Sequence, residues 1–440
     1  MNQPRDRRDL PAPEEVKWIV RVLTSHGFEA WAVGGAVRDV LSGRIPGDWD
    51  VTTSAPPREV QRLFRRTVPV GIAHGTVGVL GRSGRLYEVT TFRRDVETDG
   101  RHARVAFSDR LEEDLGRRDF TMNAVAWHPL SGEIRDPFDG MKDLRNGVVR
   151  TVGDPRLRFE EDRLRVLRAL RFAGTFQLRI DAETWDAIRE FSDRLNLLSP
   201  ERIREELWKV LSTQCVPSVS LGLYAESGVL ASLFPDLQDL RAPAEFGGQP
   251  SAWDFVIRCV DSIPRSRPLI RLSALLHPLG GATEPTPSRS AALARNILVG
   301  LRFSNATIDA VTHLVAQHAS LPATDATDAD VRRWIRIVGR EHVNAIFRLR
   351  IAIVRTHDMG GVLAQPLAAM TRRIRAILRD KPPLSIADLA IDGGDLRAEG
   401  IPTGPAYGRI LNRLLDHVIA DPEANRKEIL IGLVRDDLTA

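Results

Sequence analysis

Short strand-like and helical runs alternate over the first 150 residues of the chain. Apolar residues at helical spacing after Pro13 end at Gly27 and predict a first helix. Further helices are predicted at AVRDVLSG and PPREVQRLFRR, and strands at AWAVGG, DWDVTT, GTVGVLG, RLYEVTTF and FTMNAVAW. The turn RSGR is too short for a parallel crossover, so the sheet of this α/β unit need not be parallel.

Beyond GVVRTVGDP the pattern changes, and from about Arg158 the chain is helical nearly to its end. Polar or glycine- and proline-rich breaks occur near 241–252, 277–290 and 321–330. The predicted architecture is an α/β head with a small mixed sheet, followed by an all-α remainder. The predicted boundaries are a disordered N-terminus at 1–12, a head at 13–150, a helical neck at 151–215, a helical body at 216–330 and a helical tail at 331–440.

Composition is that of an ordinary soluble protein, with 43% hydrophobic and 27% charged residues. Arginine greatly outnumbers lysine and the pI is about 9.4, which suits a nucleotide or nucleic-acid partner but also arises from genomic base composition. Cys215 and Cys259 lack metal or redox spacing, no apolar run reaches membrane-spanning length, and the first residues lack the apolar core of a signal peptide. A cytoplasmic protein with no membrane partner is expected.

Two aspartates lie two positions apart in GDWDVTT, where Asp48 and Asp50 flank Trp49. Alternation along a strand places the two carboxylates on one face and the tryptophan on the other. Two interpretations fit this spacing: the carboxylates bind a divalent cation such as Mg²⁺, or they are solvent-facing charges that protect a strand edge. Glu88, on a neighbouring predicted strand, is either a third carboxylate of the same site or an exposed strand charge.

Two further segments supply groups suited to a nucleotide. In VGGAVRD a glycine pair lets backbone N–H groups approach a phosphate, and an arginine follows one helical turn later. In GRRDFTMNA two arginines and an aspartate precede an apolar run, which suits contacts to a triphosphate or a ribose. The candidate residues are Gly34, Gly35, Arg38, Arg117, Arg118 and Asp119.

In chain order, GGAVRD, GDWDVTTSA, HGTV, YEVTTFR, EEDLGRRDFTMNA, DPFDG and RFEEDRLRVLRALRFA resemble the class II tRNA nucleotidyltransferase (CCA-adding enzyme) and bacterial poly(A) polymerase family, a branch of the DNA polymerase β-like nucleotidyltransferases. The resemblance covers about residues 30–175 and continues more loosely beyond them. It implies a catalytic head, then helical neck, body and tail domains, with a base-reading helix in the neck and tRNA binding in the tail. It also implies that Asp48 and Asp50 bind Mg²⁺ and that Arg118 and Asp119, supported by Asn123, face the ribose or triphosphate.

Asp162, Arg165, Arg168 and Arg171 recur every three residues and would form one polar ridge on a helix. A generic helix with this pattern has a solvated basic face. The resemblance instead implies that Asp162 and Arg165 read the incoming base, because a carboxylate accepts from the exocyclic amine of C or A while arginine donates to the adjacent ring nitrogen. Arg168 and Arg171 would contact phosphates or brace this pair.

The segment RLSALLHPLGG lies where many long bacterial relatives have an HD-type metal site. His277 is followed by Pro278, which cannot bind a metal, and His313 and His318 suit a helix surface or core. A degenerate HD-like region without phosphohydrolase activity is therefore expected in the body.

The function that follows from the resemblance is addition of C, C and A to the 3′ end of tRNA from CTP and ATP, without a template. The alternatives within the same chemistry are CC-only addition, A-only addition and poly(A) tailing. A non-catalytic RNA-binding protein is the alternative from another class, and the presence of both Asp48 and Asp50 opposes it.

Overall fold

The computed structural model describes residues 10–98, 103–280, 286–357 and 360–439, and the chain divides into two compact units, Met1–Pro235 and Asp236–Ala440. Residues 1–9 of the predicted disordered N-terminus lie outside the described residues, whereas Leu10 is buried in the core of the first unit. The predicted α/β head followed by helices is confirmed. No described helix is both long enough and apolar enough to cross a membrane.

Within the described residues, seven strands form one mixed sheet in the order β3-β4-β5-β2-β1-β8-β9. The strands are β1 Ala30–Val33, β2 Asp50–Thr53, β3 Thr67–Gly71, β4 Thr76–Leu80, β5 Leu86–Thr91, β6 Arg93–Thr98, β7 Ala103–Phe107, β8 Ala126–Trp127, β9 Ile134–Arg135, β10 Val148–Val149 and β11 Arg179–Ile180. The pair β2–β5 is parallel and the other pairs of this sheet are antiparallel. Two smaller pairings, β6–β7 and β10–β11, complete the first unit.

Eleven helices of the described residues follow or flank these strands in the first unit. They are α1 Glu14–Ser25, α2 Gly35–Leu41, α3 Pro57–Leu63, α4 Leu111–Gly116, α5 Gly140–Asn146, α6 Pro155–Glu161, α7 Leu164–Phe176, α8 Ala182–Phe191, α9 Pro200–Leu211, α10 Pro217–Ser227 and α11 Val229–Leu233. Apolar residues of α1 and the inner face of the sheet form the head core, to which Trp49 contributes against Trp127 at a ring separation of 5.9 Å. The tryptophan of GDWDVTT therefore packs in the core directly before β2, on the face opposite the aspartates.

The predicted strand FTMNAVAW is largely wrong. Thr121–Asn123 form a 3₁₀ turn, and the strand is confined to Ala126–Trp127. The cause is polar: the Thr121 hydroxyl donates to the Asp143 carboxylate (2.7 Å), and the Asn123 amide donates to Asp119 (2.9 Å). These buried hydrogen bonds turn the backbone where alternation alone predicts extension. The pattern also failed to predict β3 and the β6–β7 hairpin.

The second unit is helical throughout its described part. Its helices are α12 Pro235–Gln238, α13 Ala252–Asp261, α14 Pro268–Leu276, α15 Pro287–Gly300, α16 Asn305–Gln317, α17 Asp328–Val338, α18 Val343–Thr356, α19 Gly360–Arg379, α20 Gly393–Ala398, α21 Pro405–Ala420 and α22 Lys427–Thr439. His277 and His318 are buried with ring centroids 5.4 Å apart, and each ring Nδ1 bonds a backbone carbonyl of its own helix. Burial lowers the pKa of His277 to about 3, so this imidazole is a neutral core group.

Candidate active site

The sheet places Asp50 directly beside Glu88. Asp50 is the first residue of β2, and the parallel register pairs it with Glu88 of β5. Paired residues of neighbouring strands project from the same face of a sheet, so the two carboxylates face the same space. Glu88 was expected to lie across from the aspartate pair, and within that pair it is Asp50 that faces it.

The pKa of Asp50 is raised by its surroundings. Burial and the facing Glu88 charge raise the pKa of Asp50 to about 6, and Asp48 adds a smaller repulsion. The Arg118 guanidinium opposes this rise in pKa but does not cancel it. A cation placed between Asp50 and Glu88 would remove the repulsion.

Asp48 lies just outside β2. The strand begins at Asp50, and the Asp48 carboxylate is 94% exposed, accepting a hydrogen bond from Arg85 at 3.0 Å. The same Arg85 nitrogen donates to the Gly47 carbonyl at 3.2 Å. Trp49 is buried in the head core on the opposite face, as the alternation predicts, and the Asp48 charge acts on Asp50, but Asp48 itself precedes the first β2 pairing.

Gly34 opens a space between an arginine and a carboxylate. It has a left-handed φ of 76°, and a Cβ there would lie 3.1 Å from Arg118 Nη1 and 3.6 Å from Asp50 Oδ2. Gly35 follows as the first residue of α2. A side chain at position 34 would therefore fill the space that Arg118 and Asp50 share.

Arg117 and Arg118 are held by an aspartate that the sequence analysis did not select. Asp114 is fully buried, and it accepts from Arg117 Nε at 3.0 Å, from Arg118 Nη2 at 3.5 Å and from the Thr52 hydroxyl at 3.0 Å. Burial alone would raise the pKa of Asp114, but the two arginines and these hydrogen bonds hold it below its usual value. Its spacing of three and four residues before the arginines is the local signal that could have identified it.

A buried hydrogen-bonded chain links α2 to α7. Arg38 Nη1 donates to the Asn123 side-chain oxygen at 2.8 Å, and the Asn123 amide donates to Asp119. Arg168 closes the chain with two contacts to the other Asp119 oxygen, at 2.8 and 2.6 Å. Burial would raise the pKa of Asp119, but Arg168 and these hydrogen bonds hold it below its usual value. Four of the predicted site residues thus form one network.

Asp162 and Arg165 lie near each other in sequence but not on one helix. Helix α6 ends at Glu161, and Asp162 is extended, accepting from the Leu164 backbone N–H at 3.0 Å and from Arg202 at 2.8 Å. The prediction of a single ridge that includes Asp162 is therefore wrong, because this carboxylate interrupts the helix by bonding the backbone of the next one.

The arginines of α7 are fixed by partners from several elements. Arg165 donates to Glu161 at 2.6 Å and to two backbone carbonyls at 3.0 Å. Arg171 pairs with the buried Glu206 of α9 at 2.6 Å. Glu206 and Arg202 come from a distant segment, and no local pattern could have predicted them.

The donor set fits a hard divalent cation. Asp48, Asp50 and Glu88 offer oxygen ligands, and burial together with the Glu88 charge raises the pKa of Asp50, which a bound cation would offset. Among the described residues, no three acidic, histidine or cysteine side chains converge tightly enough to hold a metal by themselves.

Three family models match the chain. The Poly A polymerase head domain matches residues 30–150, the "Probable RNA and SrmB- binding site of polymerase A" matches 177–240, and a tRNA nucleotidyltransferase domain 2 matches 288–434. The CCA-adding enzyme of Lactobacillus helveticus is 32% identical over 428 residues, covering 95% of this chain and 96% of that protein. The Geobacillus kaustophilus CCA-adding enzyme is 33% identical over 429 residues, covering 95% of each protein.

The chain belongs to the CCA-adding enzyme family. Among solved structures, it is similar to the Bacillus stearothermophilus CCA-adding enzyme in complex with CTP, with a TM-score of 0.74, 31% identity and coverage of 97% of this chain and 98% of that one. The Thermotoga maritima CCA-adding enzyme complexed with tRNA shares the fold, with a TM-score of 0.62, 20% identity and coverage of 98% and 97%. The protein is a tRNA nucleotidyltransferase, and family membership implies that its reaction depends on a divalent metal.

Proposed function

We propose that this protein adds C, C and A in turn to the 3′ end of tRNA from CTP and ATP, without a nucleic-acid template, and that Mg²⁺ is its metal. The observation that supports this most strongly is similarity to CCA-adding enzymes along 95% of the chain. In the reaction the terminal 3′-hydroxyl attacks the α-phosphorus of the nucleotide, a new phosphodiester bond forms and pyrophosphate leaves.

Asp48, Asp50 and Glu88 are the proposed metal-binding groups. When bound, the metal lowers the pKa of the attacking hydroxyl and neutralises charge on the triphosphate. Asp50 is fixed by β2, so it defines the position of the site. Asp48 precedes the strand, and its exposed carboxylate would exchange Arg85 for the cation.

The triphosphate is proposed to lie at Gly34 and Arg118, next to Asp50. Arg118 is oriented by Asp114 and directs one guanidinium nitrogen to the space left by the glycine. Arg38 is buried and already bonded to Asp39 and Asn123, which favours a positioning role over direct phosphate contact.

Base selection is proposed to reside in Asp162 and Arg165. Arg165 donates two hydrogen bonds from Nη1 and one from Nη2. Of its five N–H groups, others therefore remain to contact a base. Asp162 would accept from the exocyclic amine of C or A, whereas U and G present a carbonyl at that position. Each such mismatch costs roughly 1–3 kcal/mol, so the pair accepts C and A and rejects U and G.

The test of the function uses the full chain with Mg²⁺, each labelled nucleoside triphosphate, and tRNA transcripts that end before CCA, after C or after CC. Sequential addition of C, C and A is expected. Addition of A to the CC-ended transcript alone would replace the proposal with A-only activity, and long A tracts on unrelated RNA would indicate a poly(A) polymerase.

The test of base selection is Arg165→Ala. We expect the preference for CTP and ATP over UTP and GTP to fall about tenfold or more, since one specific hydrogen-bonding group is lost. Arg156→Ala is the matched control, because Arg156 is an exposed arginine that pairs with Glu190 on the neighbouring helix. An unchanged preference in Arg165→Ala would contradict the assignment.

A further inference from the structure

An apolar surface adjoins the carboxylates on the same face of the head sheet. Strand register pairs Asp50 with Glu88, Glu88 with Gly78, and Gly78 with Val68, so these residues form one row across four strands. Neighbouring strands are about 4.8 Å apart, which places Val68 about 14 Å from Asp50 along this row. Val68, Val70 and Leu86 are called the apolar shelf below.

The apolar shelf is exposed, in contrast to the opposite face of β4 and β5, where Val77, Val79, Tyr87 and Val89 are buried. Val68 is 38%, Val70 44% and Leu86 41% exposed. A Cβ at Gly78 would lie 2.7 Å from Leu86 Cδ1 and 2.8 Å from Val70 Cγ2, so these two side chains meet over the glycine. The result is a continuous apolar surface that begins beside Glu88 and ends at the edge strand.

Basic residues flank the apolar shelf. Arg65 and Arg66 directly precede β3, and Arg82 lies in the turn between β4 and β5. All three are exposed, and within the described residues none of them pairs with a carboxylate. Apolar surface bordered by uncompensated arginines complements a nucleic-acid strand, whose bases are apolar on their faces and whose backbone is anionic.

The geometry of the reaction indicates which part of the RNA would lie on the apolar shelf. In phosphoryl transfer the attacking and leaving oxygens are roughly in line, on opposite sides of the phosphorus. Gly34 and Arg118, the proposed triphosphate site, adjoin Asp50 from the β1 side of the sheet. With the triphosphate on the β1 side, in-line attack favours approach of the hydroxyl from the opposite, β5 side, where Glu88 and the apolar shelf lie.

We propose that the apolar shelf binds the last nucleotides of the RNA acceptor, with base faces on Val70 and Leu86 and phosphates near Arg66 and Arg82. This inference rests on the proposed function, since it takes the direction of attack from it. The surface acts without base-specific hydrogen bonds, as an acceptor end that changes with each addition requires.

The experiment compares the full-length Val70→Ser/Leu86→Ser protein with Leu130→Ser. Leu130 is the matched control because it is also 41% exposed and lies in the same unit, after β8. We expect the KM for CC-ended tRNA to rise about fivefold or more in the double variant, with an unchanged KM for ATP. The affinity advantage of CC-ended tRNA over tRNA truncated before the two cytidines should shrink by a similar factor.

A second variant, Arg66→Gln/Arg82→Gln, keeps the apolar surface and tests the backbone contacts. Its tRNA affinity should depend less steeply on salt concentration than that of the parent. If both variants have the same KM for tRNA and the same tRNA affinity as Leu130→Ser, the inference is overturned. It is also overturned if a variant loses self-association while its tRNA binding is unchanged, because the surface would then bind a second copy of the chain. If the parent protein incorporates no nucleotide, the proposed function fails. The two measurements of tRNA affinity, with truncated tRNA and with changing salt, still test whether the apolar shelf binds RNA.

Discussion

Asp50→Asn should make the metal-free protein more stable while it abolishes nucleotide addition. The pKa of Asp50 is raised from 3.8 to about 6, chiefly by burial and then by Glu88. One pKa unit corresponds to about 1.4 kcal/mol, so ionised Asp50 costs the folded state about 3 kcal/mol. Asparagine keeps the size and removes the charge, and we expect the free energy of unfolding to rise by about 2–3 kcal/mol near neutral pH.

The pH dependence follows from the sign of the shift. Below the unfolded pKa both states are protonated, and the variant gains nothing. Between that value and about 6 the unfolded chain has lost the Asp50 proton while the folded protein retains it, so the wild type loses stability relative to the variant as pH rises. Above about 6 the difference is constant.

Urea unfolding of both proteins, followed by tryptophan fluorescence near pH 4 and near pH 8, measures this difference. Millimolar Mg²⁺ at the higher pH should stabilise the wild type and leave Asp50→Asn unchanged, because a ligand stabilises only the state that binds it. An equal difference at both pH values would refute the electrostatic argument. An Mg²⁺ effect of the same size in both proteins would refute the metal assignment.

Two further substitutions test the neighbouring groups. Gly34→Ala places a side chain at a φ of 76° and 3.1 Å from Arg118. We expect the free energy of unfolding to fall by about 1–3 kcal/mol and the KM for ATP to rise about tenfold. A wild-type KM would argue against a triphosphate at this position. Asp119→Asn breaks a buried ion pair and should cost about 3–5 kcal/mol near pH 7 but little in acid, where the wild-type carboxylate is itself protonated. Asp119→Leu/Arg168→Met, which removes both charges, should recover part of that stability, and no recovery would indicate that packing rather than charge dominates.

The sequence predicted the head well because its elements are short and strongly patterned. The strands DWDVTT and YEVTTF were both predicted, with Glu88 on a neighbouring strand, but their parallel register was not. The pairing of Asp50 with Glu88 is the outcome of that register. At Asp48 the local pattern predicted the burial of Trp49 but not the pairing of the exposed carboxylate with Arg85.

Contacts between segments far apart in the sequence could not be predicted from any local pattern. Asp119 and Arg168 were each selected as nucleotide-binding candidates, yet the structure joins them to each other. Likewise, Asp162 bonds Arg202, 40 residues away. Such partners depend on how helices pack, and helix packing is set by side chains spread over the whole domain.

The ion pair between Asp119 and Arg168 has a consequence for nucleotide choice. Arg165 lies one turn before Arg168 on α7, so the pair that fixes Arg168 to the head also fixes the proposed base reader relative to Asp50. A buried pair with two contacts below 3 Å permits little sliding of that helix. On the proposed assignment of Arg165, this pair would set the distance between the base-reading group and the reacting phosphorus, as a nucleic-acid template would otherwise set it. A variant that loosens the pair should therefore lose its preference for C and A before it loses nucleotide addition.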